Sequence, residues 1–207
     1  QKFISYLIPY LLKKKIDEKV NKKIKQDYKY ILNIGRLTEQ KNQKILIKSF
    51  KKISKKDDNL KLLILGEGEK FLELSTLAKE LNLDKKIKFL GHIKSPYEYI
   101  KGSLCVIVTS LWEDPGFVMI EASALKKIVI NSNCPSGPKE FFKNGKTGFL
   151  FKNGSKQSLI NTFNKFMITK KEKINYYIDQ NYKKSLEYSE IEHSKIFKRL
   201  FKIYEKK

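Results

Sequence analysis

The chain has 207 residues, 41% of them hydrophobic, enough apolar surface for a buried core and too much for a disordered chain. A formal net charge of +22 raises nucleic acid and anionic membranes as partners. Of 44 basic residues, however, only Arg36 and Arg199 are arginines, the residue whose planar fork suits base edges and phosphates. The lysine excess is read as solvated helix faces, with attraction toward an acidic membrane surface as its second consequence. Cys105 and Cys134 lack the short spacing and histidine partners of a zinc site and read as buried thiols in a reducing compartment.

Residues 1–27 are lysine-rich and are expected to be a linker or helical remnant of an interdomain region. The apolar run Phe3 to Leu12 is broken by Pro9, is too short to span a bilayer and lacks a signal peptide's layout, so the expected location is the cytoplasm. A first residue of Gln1 rather than methionine suggests an excised part of a longer protein.

From residue 28 onward apolar runs alternate with amphipathic ones. Strands are predicted at Tyr30–Ile34, Lys61–Leu65, Lys88–Leu90, Leu104–Val108, Ile128–Asn131 and Gly148–Phe151. Between them helices are predicted at Lys41–Lys55, Glu69–Leu81, Ser95–Ile100, Gly116–Lys126 and Pro138–Lys143, and after them at Lys156–Met167, Lys171–Leu186 and Ile191–Glu205. Runs such as ILNIG, LLILG and LCVIVTS are apolar almost throughout, the pattern of strands covered on both faces. The expected fold is α/β: a doubly wound, Rossmann-like parallel sheet of about six strands flanked by helices.

The loops after these strands carry the chemistry. Gly35-Arg36-Leu37-Thr38-Glu39-Gln40-Lys41 follows the first strand, and a lone arginine there suits bidentate contact with phosphate, with Lys41 as a second cation. A surface salt bridge to Glu39 or Glu67 is the structural alternative. Gly66-Glu67-Gly68 is a GxG after the second strand, without the third glycine of a dinucleotide fingerprint, and is expected to shape a pocket wall or form a turn.

Ser110 to Glu121, SLWEDPGFVMIE, is the densest segment. A helix opening at Gly116 leaves the amides of Gly116, Phe117 and Val118 unpaired and attractive to an anion. Glu113 and Glu121 flank it, and a carboxylate accepts hydrogen bonds from two neighbouring sugar hydroxyls. Helix-dipole compensation and ordinary exposure are their simpler readings. Asn131 to Glu140, with CPSGP at its centre, is a rigid loop expected beside the same site. His92 and His193 read as structural or exposed.

The succession ILNIGRLTEQKN, LKLLILGEGE, IKFLGHI, TSLWEDPGFVMIEASA and CPSGPKEFFKNGKTGFLF resembles the retaining glycosyltransferases of the GT-B fold, family 4, over roughly Tyr28 to Met167. Glu113 and Glu121, separated by seven residues, reproduce that family's signature. The resemblance implies a C-terminal donor-binding domain for a nucleoside diphosphate-sugar, with uridine the expected base and a hexose or N-acetylhexosamine transferred with retention. It implies Gly35, Arg36 and Lys41 at the diphosphate, Gly66 and Gly68 on the pocket wall, and Lys88 and Phe89 near the base. Glu121 would hold the ribose, and Glu113 with Gly116, Phe117 and Val118 would contact the sugar. Catalytic roles fall to Glu113, Arg36 and Lys41.

It further implies a glycan or lipid-linked acceptor bound by an N-terminal domain, a role in bacterial surface-polysaccharide synthesis, and peripheral contact with the inner face of the cytoplasmic membrane. No Asp-x-Asp follows a strand, so a metal is not implied, and no cofactor beyond the donor is expected. Two other classes compete: a basic nucleic-acid-binding module drawing on 11 tyrosines and 13 phenylalanines, and a nucleotide-sugar epimerase, which the incomplete fingerprint disfavours.

Overall fold

Six short apolar runs, each followed by an amphipathic segment, fold as strands joined by crossover helices. The computed structural model describes residues 27–188. In chain order these form β1 (Tyr30–Ile34), α1 (Gln43–Ile53), β2 (Lys61–Leu65), α2 (Phe71–Glu80), β3 (Ile87–Phe89), α3 (Tyr97–Gly102) and β4 (Cys105–Val108). Then follow α4 (Phe117–Ala124), β5 (Val129–Ser132), α5 (Pro138–Phe141), β6 (Phe149–Phe151), α6 (Lys156–Ile168) and α7 (Lys171–Leu186). The expected linker, Asp27 apart, lies outside the described residues, as do the predicted helix Ile191–Glu205 and His193.

All strand pairs are parallel, in the order β3-β2-β1-β4-β5-β6. The chain therefore winds outward from β1 to β3, returns to place β4 beside β1, and winds outward again to β6. Where the winding reverses, the loops leaving β1 and β4 diverge to opposite faces, and a crevice opens at the carboxyl ends of those two strands. This is the doubly wound sheet that the uninterrupted apolar runs predict.

Alternate residues of each strand enter two cores. Ile31, Leu62, Ile64, Ile107 and Ile130 pack with Leu46, Phe50, Leu159 and Phe163 of α1 and α6 on one face. Tyr30, Leu32, Leu63, Val106 and Val108 pack with Met119, Ile120 and Phe141 of α4 and α5 on the other. Each fully buried leucine or phenylalanine contributes roughly 1.5–3 kcal/mol. Both edge strands, β3 and β6, are only three residues long, which limits pairing with another chain. Lys48, Lys51 and Lys52 lie on solvated or partly solvated surface of α1 while its apolar side is buried, as the lysine excess suggested.

The first four helices begin one or two residues later than predicted, whereas α5, α6 and α7 begin at the predicted residues, and for α1 and α4 the loops explain the delay. The amides of Lys41 and Asn42 turn back to the Thr38 carbonyl, and Asn42 itself is left-handed at φ 48°, so α1 starts at Gln43. Gly116 is also left-handed, at φ 89°, which moves the start of α4 to Phe117.

Glycine is indispensable where the β1 and β2 loops touch. A Cβ on Gly66 would collide with the Gly35 carbonyl, one on Gly68 with the Leu37 carbonyl, and Gly66 has φ 135°. Close approach of two backbones is thus what the GxG provides here. Gly66→Ala is expected to cost on the order of 2–4 kcal/mol, read as a lowered urea midpoint at unchanged slope.

Candidate functional site

The loops leaving β1 and β4 are tied to each other at the reversal point. Leu111 N donates to Gln40 O at 2.8 Å, Gln40 Nε2 to Trp112 O at 2.9 Å, and Thr109 Oγ1 to Lys41 O at 2.8 Å. Across this seam Lys41 Nζ meets Glu113 Oε1 at 2.7 Å, with the carboxylate side chain 9% exposed. Ser110 Oγ donates to the same oxygen at 2.5 Å, and Ser132 Oγ of β5 donates to the Ser110 carbonyl at 2.5 Å. Three neighbouring strand tips thus converge on one carboxylate.

Around that carboxylate the glycines make room. The Lys41 stem crosses Gly35, whose missing Cβ would sit 3.4 Å from it, and a Cβ on Gly116 would lie 3.6 Å from the Glu113 Cβ. A Cβ on Gly137 would strike the Pro115 carbonyl, so the CPSGP loop closes against the β4–α4 loop, as the sequence placed it. The amides of Gly116, Phe117 and Val118 donate to no described carbonyl, whereas those of Met119 and Ile120 turn back to Gly116 O. At the amino terminus of α4 those three amides are available to an anion.

Arg36 is exposed at the tip of β1, and its guanidinium makes no ion pair or hydrogen bond with a described residue. The salt bridge to Glu39 or Glu67 does not form: Glu39 pairs with Lys70 at 3.2 Å, and Glu67 accepts from the His92 amide at 3.2 Å. Arg36 instead edges a cleft of about 360 Å³ with Ile34, Gly35, Gly66, Glu67, His92 and Ile93. Gly66, Glu67 and His92 therefore line the cleft, whereas Gly68, expected on the same wall, is not among its lining residues and lies against the Leu37 backbone instead.

Glu121, one turn into α4, is half-buried, and burial pushes its carboxyl from 4.5 up to about 7. Tyr97, at the start of α3, is raised by its own burial and then by the Glu121 charge, so the two side chains share one environment. Phe89 packs edge-on against Phe71 at 5.6 Å, beside the cleft's strand. Lys88 turns elsewhere: its ammonium donates to Tyr28 Oη at 3.1 Å and lies 4.8 Å from that ring, away from Arg36 and Lys41. Cys105 and Cys134 are buried free thiols, both pushed up by burial.

The structure thus gathers Gly35, Lys41, Glu113 and Gly116 into one contiguous surface, with Arg36 and Gly66 on the adjoining cleft. Sequence reading did not single out Ser110 and Ser132, since a serine at a strand end has many uses, nor Tyr97, which reaches Glu121 from another helix. A larger cleft of about 660 Å³ lies at the opposite end of the sheet, bounded by Lys29, Leu60, Leu104 and Ile168, and contains none of these residues. The exposed aromatics Phe71, Trp112 and Tyr176 stand on three separate elements, unlike a base-stacking platform. Among the described residues no helix is long and apolar enough to cross a membrane.

The domain is a doubly wound α/β unit whose reversal point carries helix amides and an arginine without described partners and two carboxylates. Residues 14–184 match the model of the family described as glycosyl transferases group 1, and the chain belongs to that family. It is 44% identical over 123 residues to an uncharacterized glycosyltransferase of Methanocaldococcus jannaschii, covering 59% of this chain and 30% of that protein. It is 35% identical over 131 residues to the N-acetylgalactosamine-N,N'-diacetylbacillosaminyl-diphospho-undecaprenol 4-alpha-N-acetylgalactosaminyltransferase of Campylobacter jejuni, covering 63% and 35%. The chain therefore spans about a third of the length of these curated relatives.

Among solved structures, the fold matches Anabaena HepE in complex with UDP at a TM-score of 0.75 and 21% identity, covering 94% of this chain and 53% of that one. Staphylococcus aureus TarM, in a complex that includes UDP, matches at 0.72 and 23% identity, covering 88% and 38%.

The Glu121 environment has a measurable consequence. A carboxyl held at about 7 in the fold and near 4.5 when unfolded favours the folded state most when protonated, so stability is full below pH 4.5 and is lost as pH rises through 7. Allowing for partial solvent access, the penalty at pH 8 is on the order of 1–3 kcal/mol. Glu121→Gln should raise the melting temperature at pH 8 by several degrees, at roughly 2–4 °C per kcal/mol, and the gain should shrink by pH 5.

Proposed function

We propose that this domain binds a nucleoside diphosphate-sugar, with UDP as its nucleotide, and stabilises the diphosphate as the sugar leaves. The observation that carries this reading is the junction of the β1 and β4 loops. A free guanidinium, unpaired helix amides and a carboxylate on a cation meet there beside a cleft at the strand tips. The arrangement suits a ligand carrying both anionic oxygens and hydroxyl donors.

In the proposed reaction the bond between the anomeric carbon and a phosphate oxygen breaks with the electron pair staying on that oxygen, an acceptor hydroxyl oxygen bonds to the anomeric carbon, and the hydroxyl's proton passes to the departing phosphate. Arg36 and the Gly116 to Val118 amides face the growing charge, with Lys41 joining them as it turns from Glu113. Fixed donors of this kind are typically the largest source of acceleration. Glu113 accepts hydroxyls of the transferred hexose or N-acetylhexosamine, and Glu121 those of the ribose. The base occupies the cleft between Gly66, Glu67, His92 and Ile93, approached from the strand of Phe89, and the Lys88 ammonium takes no part.

The acceptor, a glycan or a lipid-linked acceptor, is assigned to an N-terminal domain, with transfer retaining the anomeric configuration. The named activity of the Campylobacter relative, on a diphospho-undecaprenol acceptor, supports a lipid-linked acceptor, and the lysine excess suits peripheral contact with the anionic inner face of the cytoplasmic membrane. No cofactor beyond the donor is assigned.

Thermal-shift screening of UDP-, GDP-, ADP- and CMP-sugars tests the nucleotide. A UDP-sugar at about 100 times its Kd should stabilise the domain by about 2.7 kcal/mol, and a response to none of them overturns the reading. By calorimetry, Arg36→Lys and Glu121→Ala should each weaken UDP binding by about tenfold, the loss of one charge-assisted contact. Unchanged affinity in Glu121→Ala would remove the ribose assignment.

A further inference from the structure

We propose that Ser110 is a positioning residue for sugar transfer: it fixes the Glu113 carboxylate so that Oε1 stays with the protein and Oε2 stays open to the sugar. The inference rests on the reading of Glu113 as the sugar contact and adds a residue to it.

Both protein donors to Glu113 reach the same oxygen. Lys41 Nζ is 2.7 Å and Ser110 Oγ 2.5 Å from Oε1. Among the described residues no hydrogen bond or ion pair is made to Oε2, and the Glu113 side chain keeps 9% of its surface exposed. A carboxylate held by one ammonium can rotate and exchange its two oxygens, because the ammonium sits on a flexible four-carbon stem and imposes little direction. A second, directional donor removes that equivalence. Ser110 is suited to the part: it is 1% exposed, and its own carbonyl is bound by the Ser132 hydroxyl. The two serines thus pass the rigidity of β4 and β5 to one side chain.

The two donors also differ in what a ligand does to them. An arriving diphosphate competes for the Lys41 charge, and the Lys41 side chain, 20% exposed, can turn its ammonium toward it. The Ser110 hydroxyl is neutral and enclosed, so it keeps Glu113 in place while the ion pair loosens. Glu113 then meets the sugar in the orientation it holds beforehand, which limits reorganisation during reaction.

The experiment uses the full-length protein and whichever of UDP-glucose, UDP-galactose, UDP-N-acetylglucosamine or UDP-N-acetylgalactosamine stabilises it most. It measures UDP release against donor concentration, and UDP affinity by calorimetry. Ser110→Ala should lower kcat about tenfold or more, since displacing a contact group by an ångström can cost on the order of a hundredfold. Donor KM and UDP Kd should stay within about twofold, because Ser110 touches neither nucleotide nor diphosphate. Ser110→Thr, which keeps the hydroxyl, should restore most of the turnover, and Ser110→Cys, a weaker donor that covers a poorly folding alanine variant, should fall between.

Wild-type turnover in Ser110→Ala and Ser110→Cys, or a kcat loss matched by an equal loss of UDP affinity, overturns the inference. Glu113→Gln separates the two levels. If it is impaired while Ser110→Ala is not, only the role of Ser110 falls. If it too turns over as wild type, the sugar contact assigned to Glu113 falls with it.

Discussion

The contact between Lys41 and Glu113, 2.7 Å across the seam between two loops, is the constraint on which the site depends. Parallel strands place the tips of β1 and β4 side by side, but the loops that leave them diverge to opposite faces. Without a tie, each loop would explore its own conformations. The ion pair, reinforced by Gln40 on the Leu111 amide and Trp112 carbonyl and by Thr109 on the Lys41 carbonyl, makes them one surface. Removing two charges from water offsets much of their attraction, so the pair is better viewed as a determinant of geometry than as a reservoir of stability.

The electrostatic balance of the pocket follows from that tie. Two carboxylates beside an anion-binding helix terminus would repel a diphosphate if both were fully charged and unpaired. Glu113 is compensated by Lys41, and burial biases Glu121 toward its neutral form. Arg36 and the amides at the start of α4 are left with no protein partner among the described residues. Arg36 and these amides are thus uncommitted while Lys41 and the two carboxylates are restrained, an arrangement that suits the anion of the proposed donor.

The charge of the whole chain has little to do with this. Among the described residues, lysines stand on solvated helix faces, in exposed pairs such as Lys44 with Glu73 or Lys183 with Asp179, and against aromatic rings such as Tyr28 and Tyr182. Exposed pairs of this kind contribute little to stability. The cations assigned to the proposed site, Arg36 and Lys41, are set apart by position, at the reversal of the sheet, rather than by number.

What the sequence determined by itself is local. Uninterrupted runs such as LLIL and CVIV require cover on both faces, and the amphipathic segments between them supply it, so a doubly wound parallel sheet follows from patterning alone. Arg36, the Gly66 loop and the Glu113 to Glu121 segment were legible because their residue types are unusual for a strand tip in a lysine-rich chain. The choice of partners was not legible, because hydrogen bonds between residues about 70 positions apart leave no periodic trace. Only the tertiary structure decided that Lys41 binds Glu113 rather than standing free, that Lys88 turns to Tyr28, and that Ser110, Ser132 and Tyr97 belong to the site. Those outcomes depend on which strand tips become neighbours and on how closely glycine lets their backbones approach, and both are properties of the folded sheet.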